Sequence, residues 1–342
     1  MNNLIRPNIR NLQAYSSARS EFEGNTSVAL DANENPFGNG VNRYPDPLQR
    51  ALKARIGQLK GVGPAELLIG NGSDGIIDLL MRCCCVPGTD EIIITPPTYG
   101  MYAVLAQIND VRCTAVPLNT DFSLNVDAIL ASVNPNTKMI ILCSPNNPTG
   151  NLLAVEDIGM ILNHFNGIVL LDEAYVDFSP DASWVPRRKD FPNLVVCQTL
   201  SKAWGMAGLR LGIAIADPEW IAVLNSMKPP YNVNQLSQER SLALLEDESL
   251  FRERLDYLLC ERKRLLTKLQ ELDIVLVVFP SDANFLLVKF EKPDVVYRCL
   301  SEQGIIVRNR SREPLCEGCL RITVGLQSEN DALLNALQNM KP

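Results

Sequence analysis

Residues 194–210 read LVVCQTLSKAWGMAGLR, and a second apolar run, LGIAIA, follows at 211–216. Both runs are near-continuous in small and branched apolar residues, the pattern of strands covered by helices on two faces; half-exposed strands alternate instead. From 199 to 209 the only charge is Lys202, set among small uncharged residues. Desolvation in such a segment lowers an amine's pKa and makes it nucleophilic, whereas a surface lysine more usually sits in a polar run. Ser201 and Arg210 flank it with a hydroxyl donor and a guanidinium suited to phosphate.

Working outward, the same kind of strand run recurs at 67–69, 91–95, 112–117, 138–143 and 168–171, with helical periodicity between, as at 48–59 and 155–165. This predicts an α/β fold: a mostly parallel sheet sandwiched by helices. The rest of the chain differs. One long helical stretch is expected from about 235 to 272, followed by short strands at 275–279, 285–289, 305–307 and 320–324 and helices at 294–303 and 330–339. That is the makeup of a smaller α+β domain. A chain of 342 residues exceeds what one core usually supports. The expected division is an N-terminal arm at 1–30 packing on the small domain, a large domain at 31–232, and a small C-terminal domain at 233–342.

Composition removes several classes of function. A net charge of -7 argues against a nucleic-acid partner, since phosphate backbones need a basic face. No apolar run approaches a membrane span, and the N-terminus has no apolar signal core, so a cytoplasmic location is expected. Cys83, Cys84 and Cys85 are consecutive in an apolar helical stretch, and most other cysteines lie among Val, Ile and Leu, so they read as small buried hydrophobes. Cys316 and Cys319 form one CxxC without the second pair or matched histidines that zinc requires, and no metal is expected. The single histidine, His164, closes a helical pattern, where positive charge suits the helix terminus. Proton transfer must then fall to another residue, and lysine leads.

Open α/β sheets bind ligands beyond the carboxyl ends of their strands. The turn after 67–69 is Gly70-Asn71-Gly72-Ser73-Asp74-Gly75, feeding a helix; it suits a phosphate, while taken alone it reads first as an ordinary Ser/Asp N-cap. After 138–143 comes Ser144-Pro145-Asn146-Asn147-Pro148-Thr149-Gly150, too long for a tight turn, with Asn147 extended before Pro148 and facing a ligand. After 168–171 comes Asp172-Glu173-Ala174-Tyr175. A carboxylate at the end of a buried strand needs a cation, which a protonated pyridine nitrogen or a structural salt bridge would supply. Tyr175 could reach the phenolic oxygen of the same ring. Together with Lys202 these turns offer the parts of a pyridoxal 5'-phosphate site in workable order.

On these motifs the chain resembles the fold-type I pyridoxal-phosphate aminotransferases, and more narrowly the histidinol-phosphate aminotransferases. The likeness runs through Asn11–Tyr15, Leu30–Pro36, Arg43-Tyr44-Pro45, Pro97-Thr98-Tyr99-Gly100-Met101-Tyr102, the turns just quoted and Cys319–Gly325. It implies that Lys202 binds the cofactor aldehyde covalently, Asp172 pairs with the ring nitrogen, Asn147 and Tyr175 hold the phenolic oxygen, and Tyr99 stacks on the ring. It further implies a phosphate site from Ser73 and Asp74 (through backbone), Ser201 and Arg210. Tyr44 would reach the phosphate in a partner subunit, giving a homodimer with shared sites. Tyr15, Arg308 and Arg321 would face the substrate's acidic end. The implied reaction moves an amino group between glutamate and imidazole-acetol phosphate. Threonine-phosphate decarboxylases and aromatic amino-acid aminotransferases share the fold and stand as alternatives. Residues 228–235, expected to line the pocket, depart from the Pro-Tyr-Pro-Leu-Ser-Thr form of some members.

Overall fold

The computed structural model describes residues 4–15, 18 and 28–340. Its larger sheet has seven strands: β1 (Leu67–Asn71), β2 (Glu91–Ile94), β3 (Arg112–Ala115), β4 (Thr137–Cys143), β5 (Ile168–Asp172), β6 (Leu194–Thr199) and β7 (Leu211–Ala216). They lie in the order β1-β7-β6-β5-β4-β2-β3. Only β7 runs against its neighbours β6 and β1; the pairs from β6 to β3 are parallel. The continuous apolar runs have the expected cause. Ile140, Leu142, Val169 and Leu171 enter one hydrophobic cluster, while Met139, Ile141, Ile168 and Leu170 enter another on the opposite face. Alternate side chains thus bury on both faces, and helices cover each.

Because β7 is antiparallel to both neighbours, β1 and the parallel strands all end at one edge of the sheet. The turns after β1, β2, β4, β5 and β6 therefore open on the same side. Register tightens this: Asn71 pairs with Leu211, so the Lys202 turn enters β7 where β1 leaves it.

The smaller sheet holds β8 (Val275–Val278), β9 (Phe285–Phe290), β10 (Arg308–Asn309) and β11 (Cys319–Thr323), antiparallel in the order β10-β11-β9-β8. Leu286, Val288, Phe290, Leu320 and Ile322 bury one face against Leu265, Leu300 and Leu337 of its helices. The other face, bearing Phe285, packs beside Tyr175 and Ala203 of the large sheet's turns.

Three expectations are corrected. The long helix from 235 to 272 is two, Gln235–Leu245 and Glu248–Gln270, because the Asp247 side chain accepts the Leu250 amide (2.9 Å) and starts a new helix. The strand expected at 305–307 forms instead at Arg308–Asn309, since the Ile305 amide is spent on Leu300 O (2.8 Å) closing the helix Pro293–Glu302 through Gly304. The N-terminal arm was expected on the small domain; its described start packs on the large one. Ile5 is buried in the large-sheet cluster, and Arg6 donates from its backbone to Cys83 O (2.9 Å) and from its guanidinium to Arg82 O (3.0 Å). Helix Gly72–Cys84 ends without a glycine cap, and Arg6 satisfies carbonyls it leaves over. Residues 16–17 and 19–27 of that arm lie outside the described residues.

Candidate active site

A small cavity of about 60 Å³ lies where these turns meet, lined by Ser73, Tyr99, Asn147, Asp172, Tyr175 and Lys202 with Cys143 and Ala174. Lys202 is half-buried, with Nζ 5.4 Å from the centre of the Tyr175 ring. Burial, then the nearby Arg321 charge, lowers its amine pKa. That matches the nucleophilic amine expected of an uncharged, small-residue turn.

Asp172 closes β5 and is buried. Its Oδ2 accepts from Tyr102 Oη (2.6 Å) and its Oδ1 from the Ala174 amide (3.0 Å). Burial outweighs both bonds and raises the carboxyl pKa to about 6. An ionised Asp172 therefore gains from any cation brought to the cavity. Tyr99 lies edge-on to Tyr102 at 5.5 Å between centroids, and its hydroxyl is pushed up to about 12 by burial, then by the Asp74 charge. Burial likewise pushes the Tyr175 hydroxyl up.

The turn after β1 begins helix Gly72–Cys84, whose first amides have no intrahelical acceptor. A Cβ placed on Gly212 would sit 2.4–2.5 Å from the Gly72 carbonyl and the Ser73 amide, so glycine there lets the helix start press against β7. Arg210, at positive φ (57°), accepts the Gly72 amide at its own carbonyl (2.8 Å) and holds a guanidinium nitrogen 2.9 Å from where a Gly72 Cβ would stand. Ser201 donates its amide to Thr199 Oγ1 (3.1 Å) beside them. Asp74 Oδ1 is buried without a hydrogen-bond partner. A helix start joined to a guanidinium is an oxyanion cradle.

Asn147 is buried, and its Oδ1 accepts from Arg321 Nη1 across the two sheets. Arg321 also lies over the Phe285 ring at 5.2 Å, while its Nε is buried with no partner. Burial depresses its pKa from the usual guanidinium range.

The class I and II aminotransferase family model matches residues 19–337. The chain belongs to the class I and II aminotransferases. It is 53% identical over 341 residues to a histidinol-phosphate aminotransferase of Parabacteroides distasonis, covering 100% of this chain and 99% of that protein. It is 51% identical over 342 residues to the enzyme of that name from Cytophaga hutchinsonii, covering 99% and 98%. Its fold is like that of the histidinol-phosphate aminotransferase structure from Clostridium acetobutylicum, with TM-score 0.81 at 24% identity over 90% of this chain and 97% of that one. The Sinorhizobium meliloti structure of the same description, in complex with pyridoxal-5'-phosphate, gives TM-score 0.77 at 24% identity, covering 86% and 82%.

Two expected site residues stand apart from the Lys202 cavity of this aminotransferase. Tyr15 is 76% exposed. Tyr44 stacks on Tyr231 (4.4 Å between centroids) in a separate groove of about 600 Å³, formed by residues 32–34, 41–45, 231 and 234–236. Residues 228–235, expected at the pocket wall, contribute Tyr231, Asn234 and Gln235 to this groove instead. They are held there by Asn232 Nδ2, which donates to Ile69 O (2.8 Å), and by the buried Lys228, which donates to Pro47 O (2.8 Å). Arg308 is exposed on β10, directly opposite Arg321.

Sequence reasoning missed Tyr102, the hydrogen-bond partner of Asp172. The signal was present: Tyr102 follows Tyr99 by three residues at the start of helix Met101–Ile108, so both rings turn to the same side. It also missed the frame behind Asn147, where Asn146 Nδ2 donates to Pro97 O (2.8 Å) and Thr149 Oγ1 (2.7 Å). His164 ends helix Val155–His164, exposed, with Nδ1 2.8 Å from Met160 O. Cys83, Cys84 and Cys85 are buried in the core, as the sequence predicts.

Proposed function

We propose that this enzyme transfers an amino group from glutamate to imidazole-acetol phosphate, giving histidinol phosphate and 2-oxoglutarate, with pyridoxal 5'-phosphate bound at Lys202. The observation that carries the reading is the convergence of Lys202, Asp172, Asn147 and Tyr175 on one cavity, with Arg321 reaching it from the other sheet.

The residues fit the cofactor. Asp172 is a buried carboxylate with no ion pair at salt-bridge distance among the described residues, a partner that a protonated pyridine nitrogen would supply. The start of helix Gly72–Cys84, Ser201 and Arg210 form a cradle for its phosphate, a role consistent with the close approach at Gly212. Asn147 and Tyr175, which line the same cavity, would hold its phenolic oxygen, and Tyr99 would lie against its ring. Bound there, pyridoxal phosphate supplies an aldehyde that condenses with amines and a ring that withdraws electrons from the substrate α-carbon.

The chain's own residues do the rest. Lys202 Nζ, its pKa lowered by burial, takes the proton from the substrate α-carbon and returns one as general acid. Asp172 would hold the ring nitrogen as an ionised carboxylate, with Tyr102 fixing its orientation. Arg321 accepts the carboxylate of glutamate in one half-reaction and the phosphate of the other substrate in the next, since a guanidinium fork suits both.

Support for a homodimer comes from the open groove at Tyr44, lined by exposed Val41 (54%), Tyr44 (50%) and Leu236 (62%). Apolar surface of this kind marks an interface, and Tyr44 and Tyr15 would then serve a partner's site. No helix among the described residues is long and apolar enough to cross a membrane; a cytoplasmic location is part of the proposal. We place the domain edges near 31 and 233, with the start of the arm on the large domain.

The test begins with the protein purified with pyridoxal phosphate and its visible absorbance band. Histidinol phosphate should bleach that band, 2-oxoglutarate should restore it, and glutamate should form. Carbon dioxide from threonine phosphate, or a stronger response to phenylalanine, would replace the proposed substrate. Lys202→Ala retaining the band would overturn the site itself. The decarboxylase alternative rests on fold likeness alone, at 24% identity to a Porphyromonas gingivalis structure, against 53% over the full chain for the aminotransferase.

A further inference from the structure

Arg321 is one of several guanidiniums clustered on the small sheet. In the antiparallel ladder Arg308 faces Arg321 and Asn309 faces Leu320, and the Arg310 amide extends the ladder by donating to Cys319 O (2.9 Å). Side chains alternate across a sheet, so Arg308, Arg310 and Arg321 share one face. It is the face carrying Leu287, cross-strand from Arg321, and it looks toward the large domain. Asn309 points the other way, donating to Asp294 on the small domain's outer helix (3.0 Å). Three guanidiniums on one face repel unless anions join them.

One anion is resident. Glu313 Oε1 lies 2.5 Å from Arg310 Nη1, and the Arg310 side chain is only 13% exposed. Three buried polar atoms of this cluster have no hydrogen-bond partner: Arg310 Nε, Glu313 Oε2 and Arg321 Nε. Arg310 and Arg308 both depress the Arg321 pKa, and Glu313 raises it, so the four charges feel one another. The face carries three positive charges and one negative, with spare donors on two of the guanidiniums. A dianion bearing several acceptor oxygens matches that balance, and a monocarboxylate does not.

We infer that Arg310 is a specificity-determining residue for the phosphate of the phosphorylated substrate, with Glu313 as the counter-ion that the phosphate displaces. The inference rests on the proposed reaction. Arg321 serves both substrates, whereas Arg310 distinguishes between them. Release of Glu313 is worthwhile only when a dianion replaces it, so glutamate enters with the Arg310–Glu313 pair closed.

The test follows band bleaching of the holoenzyme in single turnovers, with histidinol phosphate, histidinol and glutamate as separate donors. Arg310→Gln should lower kcat/KM for histidinol phosphate about tenfold or more, the loss of one charge-assisted contact. Histidinol and glutamate should change far less, and Arg310→Lys should recover part of the loss. Glu313→Gln should tighten competitive inhibition of the glutamate half-reaction by inorganic phosphate. Equal losses for all donors would reduce the pair to a structural salt bridge and overturn the inference, as would an unchanged Arg310→Gln enzyme or phosphate inhibition that is unchanged or weaker in Glu313→Gln. Failure of the proposed reaction looks different: the wild-type band would bleach with glutamate and not with histidinol phosphate. The inorganic-phosphate arm would still read Arg310 in that case.

Discussion

Removing one hydroxyl from Tyr102 gives a quantitative test of how this site holds its cofactor. Tyr102 is buried and donates to Asp172 Oδ2 at 2.6 Å, and that bond is the first influence opposing the burial that lifts the Asp172 pKa to about 6. A hydrogen bond to an ionised group contributes roughly 1.5–3 kcal/mol, equivalent to about 1–2 pH units. In Tyr102→Phe the Asp172 pKa should therefore rise to roughly 7–8 before cofactor binds. If the ring nitrogen binds the ionised carboxylate, affinity scales with the ionised fraction. At about pH 6.5 that fraction falls from roughly three-quarters to between a quarter and a thirtieth, so the cofactor should bind about 3- to 25-fold more weakly. Above about pH 9 both proteins are almost fully ionised and the affinities should converge. The assay is titration of apoenzyme with pyridoxal phosphate, read from the visible band at each pH. Equal affinities near pH 6.5 would show that Tyr102 does not govern Asp172. A deficit of the same size at every pH would point to a packing defect and refute the electrostatic reasoning.

Gly212→Ala should weaken cofactor binding and lower the melting temperature, because its methyl would meet Gly72 backbone atoms at 2.4–2.5 Å. Overpacking of this kind costs about 1–3 kcal/mol, and dialysis against buffer without cofactor would expose the weaker retention. Glu173 is buried beneath the site, with its pKa raised by burial from 4.5 to about 7. The folded state then binds a proton that the unfolded state releases, so stability present below about pH 4.5 is lost as pH rises through about 7, in total about 3 kcal/mol. Denaturant melts should show a shallower decline across that window in Glu173→Gln; an unchanged profile would place the titration elsewhere. Asp282→Ala removes the carboxylate that accepts the Leu152 amide at 3.1 Å. It should lower kcat with little loss of stability, since it loosens the Asn147 turn rather than a core, and hydrogen exchange at 146–152 should rise with it.

Much of the fold was legible because buried parallel strands cannot alternate. The stretches 139–143, 168–171 and 194–197 are apolar at every position, and each is followed by a residue that makes no sense in a core: Asn147, Asp172, Lys202. Charge and amide groups at the ends of buried strands are costly without a ligand, so composition alone marked one edge of the sheet. What stayed hidden depends on contacts across the chain. The Tyr102–Asp172 bond spans 70 positions, and Arg321 meets Asn147 across 174. No local period carries either. Gly212 was legible in principle: a glycine inside an apolar strand signals close backbone approach, and here the approaching backbone is the N-terminal end of helix Gly72–Cys84. Tyr44 and Tyr15 lie apart from the Lys202 cavity, where only the family resemblance gives them a role.

The link between the two sheets also bears on the proposed double role of Arg321. The Asn147 turn belongs to the large sheet, yet its far side is fastened to the small one. The Asp282 amide donates to Gly150 O (2.7 Å), and Gly150, at φ 85°, leaves room that a Cβ would contest with Ser281 at 2.5 Å. Arg262 donates to Ala283 O (2.7 Å), securing the same 281–283 segment to helix Glu248–Gln270. That helix sets Phe251 flat against Trp204, two residues from Lys202, with ring centroids 3.9 Å apart. The small sheet is thus tied to both the amide and the lysine sides of the cavity, and Arg321 projects between those ties. Its reach to Asn147 depends on the same contacts that set the turn, so on the proposed reading the guanidinium and the amide keep one spacing whichever anion arrives. A dianion and a carboxylate must then be told apart by what surrounds Arg321, which is where Arg310 and Glu313 stand.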